Sequence, residues 1–406
     1  MALSPLSVAY LALLGALVSA IVSLGADRWP WLLRYGSFSL LGVAGGAAII
    51  AGLTALLWGG DWSGELPLGL PWLAWHVRLD SLSGFFLCVI GIGLIAVSLY
   101  GPAYVREFMH GRVQHSLAAL GVFTALFVLG MLLVVLASDA FVFMIAWELM
   151  SVASYFLVAY QHQHAANRRA AFLYLLMAHI AGVAILLAFG VLAGFGGGFT
   201  FDQMRAAELT VTWASVAFAL AFFGFGMKAG MVPVHAWLPE AHPVAPSHIS
   251  ALMSGVMLKV ALYGLIRFVF DLIGELRWEW GVVMLVVGAI SALGGVLYAM
   301  LSNNLKRLLA YSSIENVGII LVALGMSLIF FSTGQKAIGA LGLVAALYHV
   351  LGHALFKSLL FLGAGAIAHS AHEYDLNNMG GLIRRMPQTA ALMLIGCLAI
   401  AGLPPL

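Results

Sequence analysis

Lys228 is set among Phe, Gly, Met and Ala inside an apolar run, and Pro233, Pro239, Pro243 and Pro246 follow it closely. A helix cannot continue intact through prolines at that spacing, because each interior proline removes a backbone donor and collides with the preceding turn. Irregular backbone at membrane depth survives only where protein buries it or water wets it. A lysine beside such a break costs roughly 2.5–3.5 kcal/mol on insertion scales. A broken membrane helix that carries a charge therefore points to an ion or substrate path. The plainer reading is a structural kink whose lysine snorkels to the surface.

Other residues of the same kind recur. His349, His353 and Lys357 are spaced i, i+4, i+8, so they share one face of a single helix. Histidine titrates near neutrality, and such a row can hand protons from site to site. The alternative is that the histidines bond neighbouring helices together; three ionisable groups in register favour the relay. Glu148 falls about eight residues into its apolar run, ~12 Å deep at 1.5 Å per residue and near the middle of a ~30 Å core. Lys259 lies at similar depth in the next run but two. His179, Glu315 and His235 are weaker candidates, for which relay and packing weigh equally. Asp139 follows Ser138 at a span junction, where a helix cap is expected. His162, His164, His369 and His372 fall in or near loops and read as solvated surface.

The elements that must position these groups are membrane helices. The chain has 406 residues, 63% hydrophobic and 8% charged, with a mean hydropathy of +1.05. Apolar runs of ~18 or more residues recur throughout. About twelve spans are expected, near 5–25, 35–58, 80–102, 116–137, 140–160, 169–194, 211–244 (broken), 247–269, 281–301, 308–330, 337–368 and 389 to the end. The stretch 1–23 lacks a basic leader and reads as a first span, not a signal peptide. The polar connection 59–79 carries Trp62, Trp72 and Trp75, with Trp58 before it, as an interfacial belt would. A short polar helix is expected after the Gly-rich turn near 194–199.

Loops after odd-numbered spans hold ten Lys and Arg, among them Arg106, Arg112, Lys306, Arg307, Arg384 and Arg385. Those after even-numbered spans, with the borders of those spans, hold five: Arg78, Arg205, Arg267, Arg277 and Lys336. The bias places odd loops in the cytoplasm and the N-terminus outside. The three basic residues left over are Lys228, Lys259 and Lys357, all within spans. Arginine cannot be deprotonated in a protein, whereas a buried lysine loses its charge readily, which suits a proton relay. The formal charge of +2 gives no reason to expect nucleic acid. Cys88 and Cys397 form no Cys-x-x-Cys, and no phosphate-binding Gly loop is present, so neither cofactor nor metal is expected.

Five motifs carry a resemblance: Trp147-Glu148-Leu-Met-Ser-Val-Ala-Ser-Tyr-Phe156, Lys228-Ala-Gly-Met-Val-Pro-Val-His-Ala-Trp-Leu-Pro-Glu-Ala-His242, Leu258-Lys259, Leu305-Lys-Arg-Leu-Leu-Ala-Tyr-Ser-Ser313 and His349-x-x-x-His-Ala-x-Phe-Lys357. In that order and spacing they resemble the antiporter-like membrane subunits of respiratory complex I and of Mrp-type cation/proton antiporters. The likeness covers roughly residues 75–406. Ser312-Ser-Ile-Glu-Asn-Val-Gly318 looks most like the formate hydrogenlyase and hydrogenase-4 branch of that superfamily.

The resemblance implies an all-α polytopic fold with two inverted five-helix repeats, each with a helix broken at mid-membrane. Residues 1–110 would form three leading helices, 111–270 the first repeat and 271–406 the second. Ala401-Gly-Leu-Pro404-Pro405 echoes the break at Pro233. Family members continue beyond such a second break, so the second repeat is expected to be incomplete at Leu406. The implied roles are Glu148 pairing with Lys228, Lys259 as the central lysine, and His349, His353 and Lys357 as the bridge to a second half-channel. The implied function is proton translocation in the bacterial inner membrane, driven by a partner redox module. Other membrane subunits and peripheral iron–sulfur or nickel–iron hydrogenase subunits would be the partners. The rival readings are a Na+/H+ antiporter component of the Mrp type or a non-conducting membrane anchor.

Overall fold

The computed structural model describes residues 4–70, 73–106, 108 and 115–403; Trp72, Arg112, Pro404 and Pro405 lie outside them. The chain opens with α1 (Pro5–Ser23) and α2 (Leu32–Trp58), then a hairpin of β1 (Trp62–Leu70) and β2 (Leu73–Leu79). The spans α3 (Ser81–Tyr104), α4 (Leu117–Leu136), α5 (Ala140–Val158) and α6 (Ala165–Gly196) follow. The short α7 (Phe201–Arg205) precedes α8 (Val211–Ala229), the short α9 (Leu238–Val244) and α10 (Ser247–Leu272). The long α11 (Trp278–Met300), α12 (Leu305–Ser332) and α13 (Lys336–Ala371) come next, and α14 (Leu382–Arg385) and α15 (Pro387–Ile400) close the described residues. Eleven of these helices are long and apolar enough to cross a membrane. The expected twelfth span corresponds to α15, whose 14 residues cover about 21 Å at 1.5 Å per residue, short of a ~30 Å core.

Helix starts are set by polar caps. Side chains of Ser4, Asp80, Ser116, Asp139, Thr210 and Asn304 each accept the N–H of the residue three places on, which satisfies donors the first turn leaves unpaired. Small residues let some helices touch backbone to backbone. A Cβ on Gly318 of α12 would lie 2.4 Å from the Ala292 nitrogen of α11, as membrane interfaces favour. The axis of the bundle is α10, whose most apolar 18 residues are 100% buried. It packs against α3, α4, α8 and α13. A helix apolar all round has no face to give to water.

The polar connection at 59–79 folds as a hairpin, with Gly64, Pro67 and Gly69 inside its first strand. The register pairs Trp62 with Leu79 and Glu65 with His76, broken by an irregularity between Leu66 and Gly69. The hairpin is tied down by its neighbours. Asp139 Oδ2 accepts the His76 N–H at 2.9 Å while Oδ1 accepts that of Val142 at 2.7 Å, so one buried carboxylate caps α5 and clasps β2.

A second clasp is ionic. Arg78 pairs with Asp61 and, at 3.1 Å, with Asp202. Arg205 pairs with Asp202 and, at 2.8 Å, with Asp271. Arg267 pairs with Asp271 at 3.0 Å and Asp80 at 2.7 Å. Arg267, counted among the loop charges in the sequence, is in fact buried near the end of α10, because Asp80 comes to it from the start of α3 and Asp271 from its own last turn. Burial works against the charge of Asp80, but the hydrogen bonds and charge of Arg267, with the Ser83 N–H, outweigh it and hold the carboxyl below its ordinary value. A carboxylate held below its unfolded value stabilises above that value, and the contribution is lost as pH falls through the folded one. Thermal stability should therefore drop as pH falls below about 4. Asp80→Asn should cost about 1–3 kcal/mol at neutral pH, because buried Arg267 loses one of its two carboxylates and keeps Asp271, and should flatten that acid limb. A variant with wild-type melting behaviour across the range would refute the role given to this pair.

Candidate functional site

Lys228 lies in the last turn of α8, which Gly230 ends at φ +86°; only a residue without Cβ enters that left-handed conformation freely. Residues 231–236 are non-helical before α9 begins, with Pro233 among them, so the broken span is real. Trp237 Nε1 donates to the Met227 carbonyl at 2.8 Å, replacing a bond that the break removes. Lys228 Nζ is buried and donates to Ser151 Oγ at 2.9 Å and Tyr174 Oη at 2.8 Å. It also sits 4.8 Å from the centroid of the Tyr174 ring. Tyr174 Oη in turn bonds Ser154 Oγ at 2.6 Å.

Glu148 is one turn before Ser151 on α5, yet among the described residues it makes no direct ion pair with Lys228. Its carboxylate leans over Gly182, where a Cβ would lie 2.4 Å from Oε1. Its basic neighbour is His179 of α6, with Nε2 3.8 Å from Oε2. The two side chains are 38% and 52% exposed. Glu148 remains the acid whose charge acts on Lys228.

Lys259 is wholly buried on α10 and donates to the Ser254 carbonyl at 2.6 Å. That carbonyl falls within the π-helical stretch Met253–Met257, where the altered register loosens backbone acceptors from the α-helical ladder. Ser254 Oγ bonds Ser313 Oγ of α12 at 2.7 Å. Lys357 of α13, also buried, donates to the Leu309 carbonyl at 3.0 Å and to Ser312 Oγ. The acid whose field reaches it is Glu315, again without direct contact among the described residues. Each of Lys228 and Lys357 is thus held by neutral oxygens and watched by a more distant carboxylate.

His349 and His353 follow one another along α13 with ring centroids 6.3 Å apart and ring planes tilted by 30°. His349 Nε2 meets Asn316 Oδ1 at 2.9 Å, and Asn316 Nδ2 donates to the Ser312 carbonyl at 2.7 Å. Because the amide nitrogen is already engaged as donor, its oxygen accepts and His349 Nε2 carries the proton. A thread runs from His349 through Asn316 and Ser312 to Lys357. His353 is fully buried with neither ring nitrogen bonded. His235 lies in the non-helical stretch, and no hydrogen bond joins it to Lys228 or Lys259 among the described residues.

Ser151, Tyr174, Asn316, Ser312 and the buried pair His242 and His248 were missed in the sequence. Ser151, His242, Ser312 and Asn316 fall inside the motifs that carry the resemblance, and Ser151 also lies at i+3 from Glu148. Lys306, counted among the loop charges, is buried as well: its Nζ donates to the Ala245 carbonyl at 2.8 Å and lies 5.0 Å from the Tyr374 ring centroid. A lysine at the C-terminal carbonyls of α9 is where a helix favours a cation.

Residues 137–406 match the family described as NADH:quinone oxidoreductase/Mrp antiporter, transmembrane. The chain belongs to this family. It is 46% identical over 332 residues to hydrogenase-4 component B of Escherichia coli (strain K12), which covers 81% of this chain and 49% of that protein. It is 34% identical over 360 residues to formate hydrogenlyase subunit 3 of the same organism, covering 88% and 55%. The chain thus spans about half the length of the curated relatives it matches. The fold is that of a subunit in the Mrp complex from Dietzia sp. DQ12-45-1b, with a TM-score of 0.82 at 23% identity over 100% of this chain and 72% of that one.

A buried charge kept for structure and one kept for function respond differently to removal. Replacing a buried ion pair by hydrophobic residues of similar volume is often neutral or stabilising by about 1–4 kcal/mol, and a buried lysine with no contact carboxylate leaves no partner charge behind when it is replaced. Lys228→Met, Lys259→Met and Lys357→Met should therefore leave the unfolding temperature of the purified protein unchanged or raised. A fall of more than about 5 °C in any of them would assign that lysine a structural duty.

Proposed function

We propose that this chain is a proton-translocating membrane subunit of a respiratory hydrogenase, of the formate hydrogenlyase or hydrogenase-4 kind, or of a complex I-like assembly. The observation that carries the reading is the set of lysines buried at bilayer depth and bonded to hydroxyls and carbonyls, not to carboxylates. Each costs roughly 2.5–3.5 kcal/mol on insertion scales, an expense that a passive anchor has no use for. The relatives described above support the hydrogenase branch.

The path assigned to protons is Glu148, Lys228, Lys259, His353 with His349, and Lys357, with His179 and Glu315 as the outer members. A carboxylate that approaches a buried lysine favours the ammonium; one that withdraws leaves burial to favour the amine and release of the proton. The Ser151 and Tyr174 hydroxyls hold Lys228 in place while Glu148 is free to turn between it and His179. Motion of Glu148 then shifts the charge state of Lys228, and the change propagates to Lys259 and on towards Lys357. The free energy comes from a partner redox module, which peripheral iron–sulfur and nickel–iron subunits would provide.

Glu148 and His179, half exposed at membrane depth, support a neighbouring membrane subunit that covers them, because ionisable groups there face protein or water and not lipid. The bias of Arg residues towards loops after odd-numbered spans supports a cytoplasmic position for those loops and an N-terminus outside. A Na+/H+ exchange reading is favoured by one observation: the chain is also 31% identical over 353 residues to a component of the Na(+)/H(+) antiporter of Alkalihalophilus pseudofirmus, covering 83% of this chain and 42% of that protein.

The test is proton uptake by the intact assembly in proteoliposomes. Lys228→Ala should lower uptake at least a hundredfold while the complex still assembles, and Glu148→Gln at least tenfold. Uptake at the wild-type rate in Lys228→Ala would refute the relay. Uptake that requires sodium would move the exchange reading ahead.

A further inference from the structure

A cavity of about 420 Å³ opens where α4 begins and α5 ends. Its two ends differ in chemistry. At one end stand His115 and Ser116, just before α4, with His162 and Gln163 of the loop after α5. Along the helices it is walled by Ala119 and Phe123 of α4 and by Tyr155, Phe156 and Ala159 around the end of α5. Phe123 and Phe156 stack with ring centroids 4.4 Å apart, and Phe156 is 43% exposed. A helix rises about 9 Å over the six residues from Leu117 to Phe123. The cavity therefore runs from the polar ends of two spans into the first turns of their apolar length.

The polar end is held in shape by its own contacts. Buried Tyr160 donates its hydroxyl to the Ser116 carbonyl at 3.1 Å. The His115 ring is fixed between Tyr160, 5.2 Å away, and Phe108, edge-on at 5.9 Å. Arg168, near the start of α6, donates Nη1 to the carbonyls of His162 at 2.7 Å and Gln163 at 3.1 Å, which brings a guanidinium against the cavity floor. Asp27, the acid beside Ser116, is turned to the start of α4: Oδ2 accepts the Ser116 hydroxyl at 2.8 Å and Oδ1 the Ala118 N–H at 3.0 Å. The side chains of His115, His162 and Gln163 make no hydrogen bond among the described residues. Imidazole and amide N–H groups beside a guanidinium are donors suited to phosphate oxygens.

We propose that this cavity binds one anionic phospholipid, with its phosphate at His115, His162 and the Arg168 edge and an acyl chain over Phe123 and Phe156. Charge and depth choose the occupant. Basic groups between the ends of membrane helices collect anionic headgroups, and the aromatic groove begins where a phospholipid's chains begin. A neighbouring protein subunit is the competing cover, because Phe156, Val152 and Glu148 follow one another at four-residue spacing along one face of α5. A protein surface would have to bring its own acceptors to the donors at the polar end, whereas a phosphate meets them by its chemistry. The site stands independently of proton translocation, since it needs only that α4 and α5 span a bilayer.

Photo-crosslinking of the intact assembly in phosphatidylcholine vesicles tests it. Two probes are compared at trace level, a phosphatidylglycerol and a phosphatidylcholine, each with a diazirine on one acyl chain close below the headgroup, and the labelled residues are located by mass spectrometry. Residues 119–123 and 155–159 should take the phosphatidylglycerol probe at least fivefold more than the phosphatidylcholine probe. Val286, Ile290 and Leu293, on the exposed face of α11, should take the two equally. Arg168→Gln combined with His162→Gln should bring the ratio at the cavity to about one. Ala159→Leu, which fills the groove, should lower labelling there by phosphatidylglycerol at least threefold. Equal labelling by the two probes in the wild-type assembly overturns the anionic lipid, whether or not the variants fold. A cavity left unlabelled while α11 is labelled overturns the site, and a cross-link from residues 155–159 to another subunit would then give this face to protein.

Discussion

An ammonium group held in an apolar bundle without a carboxylate against it is the constraint on which the rest of this structure depends. Its desolvation is not repaid by a contact ion pair, so the fold must supply oxygens that are neutral and fixed. Some of those oxygens are side chains on neighbouring helices, and others are carbonyls where regular helix gives way. The end of α8 at Gly230 leaves Lys228 to the hydroxyls of Ser151 and Tyr174. The π-helical stretch at Met253–Met257 offers Lys259 the Ser254 carbonyl. The end of α9 offers Lys306 the Ala245 carbonyl. Irregular backbone at membrane depth is tolerated because the bundle encloses it, and Lys228, Lys259 and Lys306 each lie beside such an irregularity.

This arrangement suits groups that must change charge. A contact ion pair would lock an ammonium in its charged form, while a purely apolar site would keep it neutral. Hydroxyls and carbonyls hold the nitrogen in position and leave the balance to carboxylates a little further away, Glu148 for Lys228 and Glu315 for Lys357. The opposite solution appears at the end of the bundle where the hairpin packs. There Arg78, Arg205 and Arg267 meet Asp61, Asp80, Asp202 and Asp271 directly. Arginine keeps its charge, and its fork takes two carboxylates at once, which fits a clasp. The chain fastens with arginine paired to carboxylates and buries its lysines among neutral oxygens.

The axis of the bundle explains how so many polar groups stay dry. With α10 enclosed on every side, Lys259 and His248 sit on one helix, a few turns apart, beyond the reach of lipid. Its neighbours α3, α12 and α13 bring Tyr104, Ser313 and Ser358 to it from distant parts of the chain. None of these contacts is local in sequence.

The sequence by itself determined the membrane class, the approximate positions of eleven spans, the break after Lys228 and the inward-facing Lys259, His353 and Lys357. All of these follow from one-dimensional signals: long apolar runs, proline spacing, and charges that have no business in such runs unless they are enclosed. The hairpin was hidden because its glycines and prolines read as a connection, and its strands gain their place from Asp139 and the arginine clasp. Tertiary structure alone decided which oxygen each lysine meets, that Glu148 turns to His179 and not directly to Lys228, and that Lys306, Arg267 and His248 are buried. Serine and tyrosine are unremarkable in an apolar helix until a lysine from another helix arrives beside them. A charge at the edge of a span reads as solvated unless a distant segment folds over it, and no local pattern announces that segment.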